Sequence, residues 1–445
     1  MLKGLEITVK KLSDVMCNDS MRMEAEFYTA KTSSFGSVTG NDAIIFSQYG
    51  TSDELNECSN GYPVLRLNEF DLAFIGMPAK WARLSKEDVQ ALRLCKDDVL
   101  ICRTNGNPHL VGKSAIVPCD CDIAFASYLF RVRPNRRYIN SSALVAFLNS
   151  KYGRREIERF SMQSNQANFS PAKFRQIKVP LLGDELNSRI EKLTYRAYKC
   201  NESAKLLYAN AENQLLIELG FAKWRPTDDG VSVKSFSVAV VSGRIDAEYF
   251  RPKYDEIETR LRIRATDVLW AADTLIEGLC KSEDEKVEQY IELADIGASG
   301  MVENCTKAEF ADLPSRARQR VSKGQVIVSS IEGSLKSCAL ITSEFDGALC
   351  STGFHRFQTD KINPETLLLL FKSWPIQELL KRGCSGTILS GISADSLGKI
   401  PLPILSQCSQ SSLADKVRES FRLRNESKRL LEEAEKLVEE AIERF

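Results

Sequence analysis

Histidine is nearly absent: His109 and His355 are the two histidines in 445 residues. A histidine-based proton relay, or a zinc site of mixed histidine and cysteine, would need both in company that the sequence does not provide. The thirteen cysteines show no repeated spacing, and Cys119-Asp-Cys121 has the wrong interval for structural zinc. An odd, scattered set indicates reduced thiols rather than a disulfide framework. No stretch approaches the ~18 apolar residues of a membrane span, and residues 1–11 lack the apolar core of a signal peptide. Net charge is zero, so charge alone selects no partner class, and a nucleic-acid binder is usually more basic. With 43% apolar and 27% charged residues, the composition is that of an ordinary globular protein.

Catalytic signatures are also missing. Gly106-Asn-Pro-His-Leu-Val-Gly112-Lys113-Ser114 imitates a phosphate loop, but one residue too many separates its glycines. Asp284-Glu285-Lys286 lies in an acidic run that reads as solvated surface. No glycine-rich cofactor loop follows an apolar strand, and no methyltransferase Asn/Asp-Pro-Pro-aromatic stretch occurs. The chain is expected to have no catalytic centre and no metal or cofactor site of its own.

What the chain has is a repeat. Arg22-Met-Glu-Ala-Glu-Phe-Tyr28 matches Arg244-Ile-Asp-Ala-Glu-Tyr-Phe250 position by position, and Ile7–Lys11 resembles Val231–Ser235. Val64–Phe70 pairs with Tyr290–Ile296, Lys96–Ile101 with Lys323–Val328, and Ile177–Pro180 with Ile400–Pro403. The offset stays near half the chain length throughout, so the protein is two copies of one unit. Each copy opens with short apolar or alternating runs between turn clusters, the pattern of a mixed α+β domain. Each closes with a long helix. Leu186, Ile190, Leu193, Ala197, Cys200, Ala204, Leu207 and Ala211 recur in alternating steps of four and three, a narrow heptad seam. The chain's end supplies a second seam through Leu413, Val417, Ser420, Arg424, Ser427, Leu431, Ala434, Val438 and Ala441, with Leu186 aligned to Leu413 and Ile190 to Val417. The expected fold is therefore α+β: a tandem duplication of two mixed α/β domains, 1–182 and 223–404. Each is followed by a long helix, 183–222 and 405–445, and the two helices pack as an antiparallel coiled coil.

Polar loops with basic flanks occupy matching places in both halves. Residues 151–178 hold seven bases and two acids around Gln163-Ser-Asn165-Gln166-Ala-Asn168. The second half carries Arg316, Arg318, Arg320, Lys323 and Lys336, and the run from Arg382 through Ser385 to Thr387. Amide side chains read adenine edges, and Arg or Lys reaches guanine or phosphate.

These features together resemble the specificity subunits of type I restriction-modification systems. The carriers are Tyr49-Gly-Thr-Ser52, Gly61–Arg66, Asp98–Ile101, Arg103-Thr-Asn-Gly106, Val111–Ala115, Ala126–Leu129, Asn168-Phe-Ser170 and Ile177–Pro180. In the second half they are Arg244–Phe250 and Ser351-Thr-Gly-Phe-His355. The resemblance implies two target recognition domains, each reading one half of a split, asymmetric DNA site. It implies helices that set the unread spacer and dock two adenine methyltransferase subunits carrying S-adenosylmethionine. Two restriction subunits complete the assembly, in the cytoplasm of a prokaryotic cell. The chain itself would be a non-catalytic DNA-binding subunit. The residues expected on DNA are Arg103, Thr104, Asn105, Lys113, Gln163, Asn165 and Gln166, then Lys336, Ser351, Thr352, Arg382, Ser385 and Thr387. The rival expectation is a two-domain binding or scaffold protein on a coiled-coil stalk that does not act on DNA.

Overall fold

The computed structural model describes residues 9, 11–13, 35–161, 167–227, 231–264, 267–280, 287–386 and 390–444. Two compact units emerge, 1–201 with 424–445 and 202–423. The first is therefore completed by a piece of helix from the far end of the sequence, and the second is one continuous stretch.

In the first unit the strands are β1 (Ser37–Thr39), β2 (Ile44–Tyr49), β3 (Tyr62–Leu65), β4 (Phe70–Asp71), β5 (Phe74–Ile75), β6 (Lys80–Ala82), β7 (Val99–Cys102), β8 (Ser114–Ile116), β9 (Ala124–Phe125), β10 (Leu129–Pro134) and β11 (Lys178–Pro180). Its helices are α1 (Lys86–Leu92), α2 (Ser141–Asn149), α3 (Lys151–Ser161), α4 (Pro171–Phe174) and the start of α5 (Gly183–Glu218). A six-stranded sheet runs β2-β10-β7-β8-β5-β4, and a three-stranded one runs β6-β3-β9. The run Val99-Leu-Ile-Cys102 is apolar throughout because its sheet is covered on both faces. Val99 and Ile101 face α2 and the long helices, whereas Leu100 and Cys102 face the smaller sheet.

The second unit has helices α6 (Phe236–Ser242), α7 (Pro252–Arg264), α8 (Pro364–Lys372), α9 (Trp374–Gly383), α10 (Ala394–Gly398) and the start of α11 (Gln407–Glu443). Its strands are β12 (Asp267–Trp270), β13 (Leu275–Ile276), β14 (Val287–Ile291), β15 (Thr306–Glu309), β16 (Ala317–Arg320), β17 (Val326–Ser329), β18 (Cys338–Leu340), β19 (Leu349–Ser351), β20 (Phe354–Phe357), β21 (Cys384–Ser385), β22 (Gly391–Ile392) and β23 (Pro401–Ile404).

The duplication extends to strand register. In the first unit Val99 pairs with Val132 and Cys102 with Leu129; in the second Val326 pairs with Phe357 and Ser329 with Phe354. The parallel pairing of β3 with β9 recurs as β14 with β19, and β6 flanks β3 as β15 flanks β14. Capping repeats as well. Asn140 accepts from the Ala143 N–H and donates its Nδ2 to the Asn187 carbonyl at 2.9 Å; Asn363 accepts from Thr366 and donates to the Gln410 carbonyl at 2.9 Å. One N-cap asparagine thus starts a domain helix and pins the first turns of the long helix in each copy.

That bond fixes the true correspondence of the long helices. Asn187 matches Gln410, so Ile190 matches Leu413. The sequence alignment of Leu186 with Leu413 is one helical turn out of phase. Ile190, Leu193, Ala197, Leu413, Val417, Ala434 and Val438 are buried, and Leu186, Leu207 and Leu431 are partly buried. Between Ala197 and Ala211 the buried seam runs through Asn201, Ala204 and Tyr208 rather than Cys200 and Leu207. The two helices are antiparallel within each unit. In the first, Ser427 bonds to the Ala197 carbonyl, and Arg196 and Arg189 face Glu426 and Glu433. In the second, Ser420 bonds to the Ala204 carbonyl and Lys416 to Gln214. Helix α5 ends at Gly220, whose φ of +75° is the left-handed turn that a helix terminus favours. The stretch after it packs down. Phe221 is fully buried and meets the Trp224 and Trp374 rings edge-on, both at 5.4 Å.

The repeated heptapeptide has a structural task in the second unit. Arg244 pairs with Asp246 at 2.6 Å and donates to the Cys384 carbonyl at 3.1 Å, while Tyr249 gives its carbonyl to Arg382. Its partner Arg22–Tyr28 lies outside the described residues.

Candidate nucleic-acid interface

In each unit three segments meet at the end of the central strand hairpin. In the first, the Arg103 N–H donates to the Tyr128 carbonyl and the Phe169 N–H to the Arg103 carbonyl, both at 2.8 Å, and Thr104 bridges to Asn168. The second unit repeats this rim: Ser330 N–H to Gly353, Ile392 N–H to Ser330, both at 2.8 Å, and Ile331 bridged to Gly391. The backbone is therefore the same twice, and the side chains it presents are not.

On the first rim Arg103 lies with its guanidinium carbon 5.3 Å from the ring centre of Tyr49. The Thr104 hydroxyl donates to the Ala167 carbonyl at 3.4 Å, and Asn105 Oδ1 accepts from the Asn107 N–H at 2.8 Å. Lys113 is half-buried beside β8, its carbonyl bonded to the Cys102 N–H. Gln163, Asn165 and Gln166 lie outside the described residues. On the second rim Thr352 and Ser385 are exposed, while Ser351 is buried and accepts from the Gly353 N–H. Lys336 is exposed just before β18, and Thr387 lies outside the described residues.

Arg382 behaves differently from the others. Its guanidinium pairs with Asp255 at 2.9 Å and Glu258 at 3.4 Å, donates to the Tyr249 carbonyl, and lies over the Tyr249 and Tyr254 rings. It ties α9 to α7 and to the heptapeptide. The basic cluster of the second half is also partly neutralised. Arg316 pairs with Glu292, Arg320 with Glu288, and Arg318 covers Phe310.

The glycine-rich stretch that imitates a phosphate loop is a packed turn. Gly112 has a φ of +81°, its N–H is bonded to the Cys102 carbonyl, and any Cβ there would strike Ile157 of α3. Arg154 donates to the carbonyls of Val111 and His109, so the turn is fastened to α3. Burial pushes the thiol of Cys102 up to about 11, and those of Cys338 and Cys350 up to about 12. These cysteines are neutral packing groups near pH 7. Among the described residues no three His, Cys, Asp or Glu side chains gather as a metal site, and no helix is long and apolar enough to cross a membrane.

Sequence reasoning did not place Tyr49 beside Arg103 or Asn168 beside Thr104. Tyr49 stood only among the motif carriers, and its pairing with Arg103 depends on a strand register that the motifs do not display.

No family model matches the chain. A curated relative, the "Type I restriction enzyme StySPI specificity subunit" of Salmonella potsdam, is 25% identical over 142 residues. That match covers 30% of this chain and 29% of the relative. The chain is similar in structure to the S subunit of a type I restriction-modification system from M. genitalium, at 12% identity and a TM-score of 0.42, covering 92% of this chain and 95% of that one. It is similar also to the HsdS subunit of Thermoanaerobacter tengcongensis, at 12% identity and a TM-score of 0.30, covering 91% and 96%. At such scores the overlays decide nothing by themselves. The motif resemblance to type I specificity subunits thus has a counterpart in a curated protein.

Proposed function

We propose that this chain is the DNA-specificity subunit of a type I restriction-modification assembly. Its two recognition domains, 1–182 and 223–404, read the two halves of a split site. The observation that carries this reading is the pair of rims: one backbone frame, built twice to the same register, bearing different side chains. A duplicated frame with diverged rims is what reading an asymmetric, bipartite sequence requires. Phosphate contacts would fix register and base contacts would fix sequence. The long helices, 183–222 and 405–445, enter both units and set the unread spacer. For half-sites on one face of DNA the repeat is about 34 Å per turn. Catalysis is assigned to partners: two adenine methyltransferase subunits that bind S-adenosylmethionine, and two restriction subunits. A neutral chain is adequate if those partners supply part of the grip on the DNA backbone.

Electrophoretic mobility shift on random duplex DNA, with and without a co-expressed adenine methyltransferase, tests the reading. Retention of a common bipartite sequence by the complex is expected. Complexes without sequence preference would favour a scaffold that does not read DNA.

A further inference from the structure

On the first rim we propose that Arg103 reads a guanine and that Tyr49 is its positioning residue; this rests on the DNA-reading function above. Arg103 meets no carboxylate among the described residues. By contrast, Arg66, Arg131, Arg133 and Arg136 of the same unit each have an acid within reach. Arg103 Nε is shielded from solvent and has no hydrogen-bond partner among the described residues, and neither has Asn168 Oδ1. Arg103 is only partly buried, so its guanidinium edge stays open to a ligand, while the shielded Nε gains from an external acceptor. Such a group at a loop rim, bonded on both backbone sides, is prepared for a ligand.

The stack on Tyr49 selects the ligand. A guanidinium lying over an aromatic ring has its plane held, and its N–H fork stays available at the edge. That fork matches guanine O6 and N7, the commonest specific contact of arginine in the major groove. The same fork can grip a phosphate bidentately, and the sequence readout of the test below separates the two ligands. Tyr49 is itself 47% exposed, yet its backbone is held: it pairs with Phe130 in the sheet, and Gly50 after it is seated against the Phe125 and Ala126 carbonyls.

The second unit supports the assignment by contrast. Gln48 pairs with Arg131 as Ile276 pairs with Arg356, so Glu277 follows where Tyr49 stands, and Ser330 takes the place of Arg103. The Ser330 hydroxyl donates to the Gly353 carbonyl at 3.0 Å. The frame is conserved between the units here, and the stacked cation belongs to one of them.

The test uses the full chain with its methyltransferase partner and maps methylated adenines for wild type, Arg103→Lys, Tyr49→Leu and Tyr49→Phe. Wild type should show a guanine at one position of one half-sequence. Arg103→Lys keeps the charge but not the fork, and Tyr49→Leu removes the ring. Both should relax that same guanine, with discrimination falling about tenfold or more, while the other half-sequence and the spacer stay unchanged. Tyr49→Phe, which keeps the ring, should retain the guanine. Uniformly weaker methylation with an unchanged sequence would make Arg103 a phosphate contact and overturn the inference. So would loss of all methylation in Arg103→Lys, relaxation by Tyr49→Phe equal to that of Tyr49→Leu, or half-sequences without the guanine. If wild type itself showed no sequence-specific methylation, the DNA-reading function would fall, and this assignment with it.

Discussion

Ser427 donates its hydroxyl to the backbone carbonyl of Ala197 on the facing helix at 2.8 Å, and Ser420 repeats the bond to Ala204 at 2.7 Å. Both serines are buried, and both acceptors are alanines in the seam. Small residues at these places let the helices approach closely enough for a hydroxyl to reach a main-chain oxygen. Ser427→Ala should cost about 1 kcal/mol, the net value of one such bond. Ser427→Leu should cost about 1–3 kcal/mol by overpacking the seam. Denaturant unfolding of both variants checks the order; a leucine variant as stable as wild type would contradict the close approach.

The Asp98 carboxylate is fully buried between two arginines. It meets Arg131 at 3.2 Å and Arg133 at 2.8 Å, and also accepts from the Cys95 N–H. Asp98→Ala would leave the buried Arg131 with its charge uncompensated, a loss of about 3–5 kcal/mol. The second unit has Gln325 at the same place, where Arg356 donates to the carbonyls of Arg320 and Gly278 and pairs with no carboxylate among the described residues. Gln325→Ala should therefore destabilise far less. Thermal unfolding of the two variants distinguishes them.

Glu435 supplies a pH dependence. Desolvation, with Glu439 and Glu432 nearby, pushes its carboxyl up to about 7. Its counterpart in the second unit, Glu212, is also raised by burial but has Lys372 opposing the shift. A carboxyl raised in the folded state binds more protons there than when unfolded. Its contribution is therefore complete below about 4.5 and is lost as pH rises through about 7. Glu435→Gln removes the burial of charge. It should be more stable than wild type at pH 8, by up to about 3 kcal/mol, with the gap closing toward pH 5. A pH-independent difference would contradict this.

Arg382 should act on stability, not on sequence choice. Arg382→Ala leaves Asp255 to Lys234 and Glu258 to Arg262, but it removes the hydrogen bond to Tyr249 and two ring contacts that tie α9 to α7, so the second unit should unfold more easily. When the variant is assembled with a methyltransferase at low temperature, its methylated sequence should match wild type. A relaxed base in the second half-sequence would restore Arg382 to the DNA surface.

Much of this architecture was legible because the repeat is carried by short buried strands whose residues face cores on both sides. Val99–Cys102 and Val326–Ser329 announce themselves by composition alone. The helix seam was legible only in part. Asn201 is fully buried because its amide donates to Asp71 at 2.7 Å and accepts from Arg424 at 2.9 Å, and hydrophobic spacing cannot find a polar seam residue. Cys200, apolar and one position away, takes its place in any such reading, as Leu207 takes the place of Tyr208. The contact residues were the least legible. Arg103 and Arg382 look alike in sequence, and only the structure shows that carboxylates surround Arg382 and that none among the described residues meets Arg103.

The central claim is that two diverged copies of one frame read two halves of one DNA site. The most direct measurement is a genome-wide map of methylated adenines in cells carrying this chain and a co-expressed adenine methyltransferase. It would be repeated after four residues are inserted into α5 near Leu186. Four residues add about 6 Å and one turn, close to two base pairs of DNA at about 3.4 Å each. The account predicts an asymmetric, two-part sequence whose unread spacer grows by one or two base pairs while both half-sequences persist. A continuous recognition sequence, or a spacer unmoved by the insertion, would contradict it.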